Sequence, residues 1–154
     1  MHPAFSVIFF TVVSGAGYAL ISLLSLFNFL NFGMLIDKNT FFIIAITSAV
    51  LFTMGLISST FHLANPKNAW RAFMRFKTSW LAREGLLAIL FYPILALYLY
   101  FIYTDMQINN FMLMQYYSFL IFTMSVVIIY CTGMIYACLK TIPQWNTIWT
   151  PINY

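Results

Sequence analysis

The chain has 154 residues, of which 63% are hydrophobic and only 6% carry a charged side chain. In soluble domains about a quarter of the residues are charged, so this composition excludes a soluble globular protein and predicts an integral membrane protein. The formal net charge of +4 does not indicate nucleic-acid binding, because the charges are not spread over a soluble face but sort by side of the membrane.

Long uncharged segments predict four transmembrane helices in a single domain. Each segment can supply the roughly 20 apolar residues that cross a hydrocarbon core. In chain order we place the helices at about residues 7–28, 41–62, 84–103 and 111–138. The first segment lacks both a basic n-region and a small-residue cleavage site, so we interpret it as a retained helix rather than a signal peptide. The predicted fold is an all-α integral membrane protein built as a four-helix transmembrane bundle.

Small residues at a spacing of four on each of the first two helices predict close packing of these helices in the bundle. Such patterns let membrane helices approach each other closely without a hydrophobic driving force. The residues in this pattern are Thr11, Gly15 and Ala19 on the first helix and Ala45, Ala49 and Thr53 on the second.

The connector between the second and third helices predicts a short amphipathic helix at the membrane interface, over about residues 66–77. Asn65 can cap this helix, and Pro66 is tolerated at a first helical position. Apolar residues then recur at helical spacing while basic and polar residues occupy the other side. Thr78 or Ser79 can cap the third transmembrane helix.

Basic residues concentrate on one side of the predicted membrane. With four helices, that side carries both termini and the connector between the second and third helices. Lys38 lies on the other side, and the six remaining basic residues are Lys67, Arg71, Arg75, Lys77, Arg83 and Lys140. A bias of this size in short loops predicts that both termini are cytoplasmic. Arg71 and Arg75 either face solvent and phospholipid or contact an acidic partner surface.

Two ionisable residues frame the connector and are the candidates for chemistry. His62 ends the second helix, where it is either a polar residue at the headgroup boundary or a proton acceptor reached from within the membrane. Glu84 begins the third helix, where it either pairs with Arg83 or the helix dipole, or faces one pocket together with His62. Aromatic residues that could enclose a hydroquinone ring are Phe61, Trp70 and Phe73.

The segment STFHLANPKNAWRAFMRFKTSWLARE, at residues 59–84, resembles the membrane anchor subunit of dimethyl sulfoxide reductase. The opening HPAFSVIFFTVVSGAGYAL and the closing YACLKTIPQWNTIWTPINY are similar to segments of the same family, so the resemblance covers essentially the whole chain. The chain departs from the family pattern at Ala64, where Gly is usual, and at Asn68, where a basic residue is frequent. Members of this family typically have eight helices.

The resemblance implies an anchor without heme or metal that oxidises menaquinol or ubiquinol in the bacterial cytoplasmic (inner) membrane. Its electrons would pass to an iron–sulfur subunit and from there to a molybdopterin catalytic subunit. Carried over position by position, the residues implied for quinol binding are His62, Glu84, Trp70, Arg71 and Pro66. The basic residues that we assign to partner docking are Lys67, Arg75 and Lys77.

Three other interpretations compete with this one. A diheme cytochrome needs paired axial histidines, but the two histidines, His2 and His62, fall on one side of the membrane. A small dimeric four-helix transporter would bury an ionisable group at mid-membrane, and none of the predicted spans has one there. The main alternative is a structural anchor without quinol chemistry. It would be the N-terminal half of a split or truncated anchor, or a compact variant completed by a second half-anchor or by homodimerisation.

Overall fold

The structure is a computed structural model that describes residues 3–32, 36–60, 74–104, 111–139 and 143–154, apart from the side chains of residues 3 and 4. The described part contains four long helices, α1 (Pro3–Phe29), α2 (Lys38–Thr60), α3 (Trp80–Tyr103) and α4 (Phe111–Ala137), and a short helix α5 (Thr150–Asn153). All four long helices are long and apolar enough to cross a membrane. This confirms the predicted all-α membrane fold with four spans.

Three helices begin earlier than the predicted starts at residues 7, 41 and 84. The α1 helix starts at Pro3, and proline is favoured in the first helical turn. At the start of α2 the Asp37 carboxylate accepts a hydrogen bond from the backbone N–H of Asn39 (3.1 Å). At the start of α3 the Ser79 hydroxyl accepts one from the backbone N–H of Ala82 (3.4 Å), as predicted for a capping residue. Helix starts therefore follow the capping residues rather than the limits of the uncharged segments.

The predicted interfacial helix over 66–77 is described only at its C-terminal end. Residues 74–78 form a turn, in which the backbone N–H groups of Thr78 and Ser79 both donate to the Arg75 carbonyl at 3.0 Å. The predicted helix therefore does not extend to residue 77. The guanidinium group of Arg83 bonds to the carbonyls of this turn, and such bonds satisfy carbonyls that a continuing helix would otherwise pair. Residues 61–73 lie outside the described residues.

The long helices pack side by side in the order α2, α1, α4, α3. The α1 helix packs against α2 and α4, α4 also packs against α3, and α2 touches α3 only sparsely. Contacts such as Ser14 with Gly55, and Glu84 with Thr132, join residues early in one helix to residues late in its neighbour, so α2 runs antiparallel to α1 and α4 runs antiparallel to α3. We call the end where α3 begins and α2 and α4 end the connector end of the bundle.

Buried positions recur every three or four residues along the helices, which is the spacing of left-handed helical bundles. On α4 these positions are Met114, Ser118, Ile121, Ser125, Ile128 and Thr132. On α3 they are Glu84, Ala88, Phe91, Leu95, Tyr98 and Ile102. Some buried serine hydroxyls bond back to their own helix, as Ser125 does to the Ile121 carbonyl (2.6 Å), whereas Ser48 and Ser58 on α2 donate to carbonyls of α1. Small polar residues thus occupy the core without leaving their hydroxyls unpaired.

The contact between α1 and α2 uses small residues, but not the register that the sequence predicts. A Cβ atom on Gly55 would lie 2.6 Å from the Cβ of Ser14, and the Ser48 hydroxyl donates to the Gly17 carbonyl (2.7 Å). The predicted residue Gly15 instead faces Tyr154, whose hydroxyl oxygen would lie 3.1 Å from an added Cβ. On α1 the contact therefore lies one or two residues from the stripe, at Ser14 and Gly17, whereas Ala45 of the stripe on α2 is fully buried.

Candidate functional site

Glu84 points into the core of the bundle from the second turn of α3. Because Ser79 caps the helix and Trp80 opens it, the first turn contains no acidic residue. The predicted position of Glu84 beside the N-terminal helix dipole is therefore wrong. Its side chain is only 2% exposed, although the burial of a carboxyl group in an apolar bundle is unfavourable without partners. A buried ionisable group of this kind is the strongest indication of function in the described residues.

The hydroxyl group of Thr132 on α4 donates a hydrogen bond to Oε1 of Glu84. The same hydroxyl lies 3.1 Å from the carbonyl oxygen of Ile128, one turn earlier on its own helix. Its single hydrogen can therefore serve either oxygen, which leaves the carboxyl group free to gain or lose a hydrogen-bond donor. A carboxyl group held in this way can exchange a proton with a ligand while it stays inside the core.

Arg83, the neighbour of Glu84 in sequence, bonds elsewhere. Its guanidinium carbon lies 4.2 Å from the ring centroid of Trp80, and its nitrogen atoms donate to the carbonyls of Phe76 (3.0 Å) and Lys77 (2.7 Å). Successive residues of a helix point about 100° apart, so the two side chains face different surroundings. The predicted pairing of Glu84 with Arg83 is therefore wrong.

Tyr18, near the middle of α1, brings a second polar group into the core. Its side chain is 1% exposed, and its ring stacks on Phe52 with 4.7 Å between centroids and meets Phe91 edge-on at 5.6 Å. In the described part of the chain its hydroxyl has no hydrogen-bond partner. Long side chains on a helix lean toward its N-terminus, which for α1 is the connector end. Glu84 lies at that end, two turns before Phe91 on α3.

An open cavity of about 420 Å³ lies at the connector end, between α1, α4 and the C-terminal segment. Pro151 in α5 packs so closely on Gly133 that an added Cβ would lie 2.6 Å from the proline Cα. The Tyr154 hydroxyl donates to the Thr11 carbonyl (2.7 Å). These contacts hold the C-terminal segment in place, and that segment forms one wall of the cavity. The aromatic residues lining the cavity are Tyr136, Trp145 and Tyr154.

The Tyr154 phenol links this cavity to Glu84 electrostatically. Burial raises the pKa of Tyr154 above its ordinary value, and the negative charge of Glu84 raises it further. The phenol therefore stays protonated and serves as a hydrogen-bond donor to Thr11 over the whole physiological pH range.

A separate polar cluster lies in the other half of the core. The Asn28 amide donates to the hydroxyl oxygens of Tyr98 (3.1 Å) and Ser118 (3.0 Å), and the Ser118 hydroxyl also donates to the Met114 carbonyl (2.9 Å). Tyr98 follows Glu84 by 14 residues on α3, which is about 20 Å along a helix axis. This cluster joins α1, α3 and α4 far from Glu84.

The structure describes Glu84 alone among the five residues predicted for quinol binding. The other four, His62, Pro66, Trp70 and Arg71, lie outside the described residues, as does Lys67 of the predicted docking set. Arg75 and Lys77 of that set are exposed in the turn before α3, at the connector end.

Thr132 and Tyr18 were missed from the sequence. For Thr132 a signal was available, since Ser118, Ser125 and Thr132 recur every seven residues and so mark one polar stripe on the fourth helix. Tyr18 carries no such signal, because nothing local distinguishes it from the other nine tyrosines of the chain.

Fold and site together define a multi-pass helical membrane protein with a carboxyl group enclosed at one end of its bundle. The sequence profile of the DMSO reductase anchor subunit (DmsC) family matches residues 1–154. The chain belongs to that family, which confirms the resemblance found in its sequence.

Among characterised proteins, the chain is similar to a subunit of the sulfite dehydrogenase of Allochromatium vinosum, with 29% identity over 168 residues. The alignment covers 100% of this chain and 51% of that protein, so the chain spans about half the length of this relative. No solved structure matches the chain.

Proposed function

We propose that the chain is a membrane anchor subunit of a molybdopterin oxidoreductase of the dimethyl sulfoxide reductase type, and that it binds and oxidises quinol. The observation that carries this proposal is the Glu84 carboxyl group, buried inside an apolar bundle with a hydroxyl group as partner. Membership of the anchor family supports the anchoring role. The relative from Allochromatium vinosum, named as part of a sulfite dehydrogenase, supports assembly with a catalytic subunit.

Oxidation of a quinol to a quinone releases two electrons and two protons. The electrons leave for an iron–sulfur subunit, which relays them to the molybdopterin subunit, while the protons need acceptors beside the quinol hydroxyl groups. In our proposal the Glu84 carboxylate accepts one proton and the His62 imidazole accepts the other. Menaquinol or ubiquinol would arrive from the lipid phase. Residues proposed to enclose its ring are Pro66, Trp70 and Arg71.

The iron–sulfur subunit is proposed to dock at the connector end. Arg75 and Lys77 are exposed there, and Lys67 belongs to the same connector. Docking at this end would bring the electron acceptor to the same side of the bundle as Glu84. The excess of basic residues on this side supports a cytoplasmic orientation for it in the bacterial inner membrane.

The test uses the assembled complex with Glu84→Gln and His62→Ala, assayed with quinol and with a reduced dye that bypasses the anchor. We expect Glu84→Gln to lower quinol-dependent reduction by about 100-fold, the usual contribution of a general base. Dye-dependent reduction reports whether the complex is assembled. The matched control is Ser125→Ala, because Ser125 is buried in the same core but bonds only to its own helix. Full quinol activity in both site variants would leave the structural anchor as the function.

A further inference from the structure

We propose that the hydroxyl group of Tyr18 donates a hydrogen bond to the quinol headgroup, on the oxygen opposite the one that faces Glu84. The inference rests on the proposed quinol chemistry and extends the site from α3 and α4 to α1. Both quinol oxygens lose a proton and become carbonyls: Glu84 accepts the proton from one hydroxyl, and Tyr18 would donate its hydrogen bond to the other oxygen, whose proton goes to the second acceptor. The Tyr18 ring meets Phe91, which follows Glu84 by two turns on the same face of α3.

The hydroxyl of Tyr18 is an unusual feature in this bundle. It is the one buried side-chain nitrogen or oxygen atom in the described residues that lacks a hydrogen-bond partner. A buried hydroxyl left unpaired is destabilising, and hydrocarbon offers no water to replace the missing partner. The rings around it belong to Phe52 and Phe91, so a phenylalanine would fill the same place. The unused donor is therefore available to a ligand.

Tyr98 provides a comparison, because it is a buried tyrosine of the same bundle whose hydroxyl group has partners. Tyr98 is as deeply buried as Tyr18, but its hydroxyl accepts from Asn28 at 3.1 Å and lies 3.3 Å from the hydroxyl of Ser118. Both partners come from other helices, Asn28 from α1 and Ser118 from α4. The contrast indicates that the bundle does not generally leave phenol hydroxyls unpaired, so the unpaired donor of Tyr18 favours a role in binding.

The proposed approach of the quinol to Tyr18 is from the lipid where α2 meets α3, the seam with sparse contacts. Tyr92 stands at this seam, 38% exposed, with its hydroxyl 2.8 Å from that of Thr53 across the two helices. Its ring meets Phe52 at 5.3 Å, and Phe52 in turn stacks on Tyr18. Aromatic side chains thus lead from the outer surface to the Tyr18 hydroxyl. Such a path suits a flat aromatic headgroup that arrives on an isoprenoid tail, because aromatic rings pack in stacked or edge-on pairs.

The experiment compares Tyr18→Phe with Tyr98→Phe in the assembled complex, using menadiol as the electron donor. Tyr18→Phe keeps the ring and removes only the unpaired hydroxyl. We expect its KM for menadiol to rise about tenfold, which corresponds to about 1.4 kcal/mol, while its unfolding temperature stays the same or rises. Tyr98→Phe loses bonds to Asn28 and Ser118, so we expect a lower unfolding temperature and an unchanged KM.

Two results would overturn the proposal. An unchanged KM in Tyr18→Phe would show that the hydroxyl does not meet the quinol. An unfolding temperature lowered as far as in Tyr98→Phe would show that Tyr18 already has a structural partner. Glu84→Gln separates this inference from the proposed function. If Glu84→Gln loses activity while Tyr18→Phe has a normal KM, only the role of Tyr18 is rejected. If Glu84→Gln keeps full activity, the proposed quinol oxidation in this bundle is rejected as a whole.

Discussion

Thr132 on α4 donates its hydroxyl hydrogen to the carboxylate of Glu84 on α3, and the two residues are 48 positions apart in the chain. The contact joins the start of one membrane helix to the end of the next. It gives a buried carboxylate a partner at a depth where bulk water is excluded. The position of Thr132 therefore matters both for the stability of the bundle and for the charge state of the proposed proton acceptor.

Replacement of Thr132 by Val removes this donor while the β-branched shape is kept. We expect the free energy of unfolding to fall by about 1–3 kcal/mol, the cost of leaving a buried acceptor unsatisfied. Quinol-dependent reduction should fall as well, because the proposed acceptor loses the group that orients it. Thermal unfolding of the purified protein in detergent measures the first effect, and the quinol assay measures the second.

Thr123→Val is the matched control for this change. Thr123 lies on the same helix, is only partly buried, and bonds only to the carbonyls of Phe119 and Leu120 in its own helix. We expect its effect on stability to stay within about 0.5 kcal/mol. Equal effects of the two substitutions would mean that the Thr132 contact contributes nothing beyond the usual bond of a threonine to its own helix.

The cluster of Asn28, Tyr98 and Ser118 is predicted to stabilise the bundle without taking part in quinol oxidation. A double-mutant cycle with Asn28→Leu and Tyr98→Phe isolates the coupling between the two side chains. We expect a coupling free energy of roughly 0.6–1.7 kcal/mol, the range found for hydrogen bonds between membrane helices. Both single variants should keep the KM for menadiol, because the cluster lies about 20 Å from Glu84 along α3. Additive effects would show that the 3.1 Å contact between the two side chains does not stabilise the fold.

The number of spans was predictable from the sequence, whereas the depth of Glu84 was not. Uncharged segments of sufficient length determine the four spans, and Ser79 was identified as a capping residue before α3. A prediction from charged residues alone, however, places both Arg83 and Glu84 at the boundary of the membrane. A long arginine side chain can lie back along the interface while its helix starts a turn earlier, and this is how Glu84 comes to lie inside.

The partners of the site residues were beyond prediction for a different reason. Thr132 is paired with a residue 48 positions away. Tyr18 is distinguished only by its buried hydroxyl group, which has no hydrogen-bond partner in the described residues. Both facts depend on which helices are neighbours and in which register they pack. A single sequence reveals that a helix has a polar stripe, but it does not reveal which helix faces that stripe.

Gly55→Ala is expected to separate α1 from α2. The added Cβ would lie 2.6 Å from the Cβ of Ser14 and 2.7 Å from its backbone nitrogen, and a backbone atom cannot move aside without moving its helix. Overpacking of this kind typically costs about 1–3 kcal/mol. The measurement is thermal unfolding in detergent. Gly15→Ala is the control, because its Cβ would meet only the tip of the Tyr154 side chain at 3.1 Å. A loss as large in Gly15→Ala would contradict the close contact at Gly55.

Charge reversal at Arg75 and Lys77 tests whether the turn before α3 docks the iron–sulfur subunit. Both side chains are exposed, so the variant Arg75→Glu with Lys77→Glu should keep its free energy of unfolding within about 0.5 kcal/mol of the parent's. We expect the amount of iron–sulfur protein that copurifies with the chain to fall severalfold at low salt. The difference from the parent should shrink as ionic strength rises, because salt screens interactions between exposed charges.

Asn39→Glu supplies the control at the opposite end of the bundle. Asn39 is exposed in the first turn of α2, where a negative charge is compatible with the helix dipole. A protein that docks through the connector end should bind this variant as it binds the parent. Equal losses in both variants would mean that the overall charge of the chain, rather than the surface at Arg75 and Lys77, governs association. If the iron–sulfur protein copurifies normally with the charge-reversal variant, the docking surface does not include this turn.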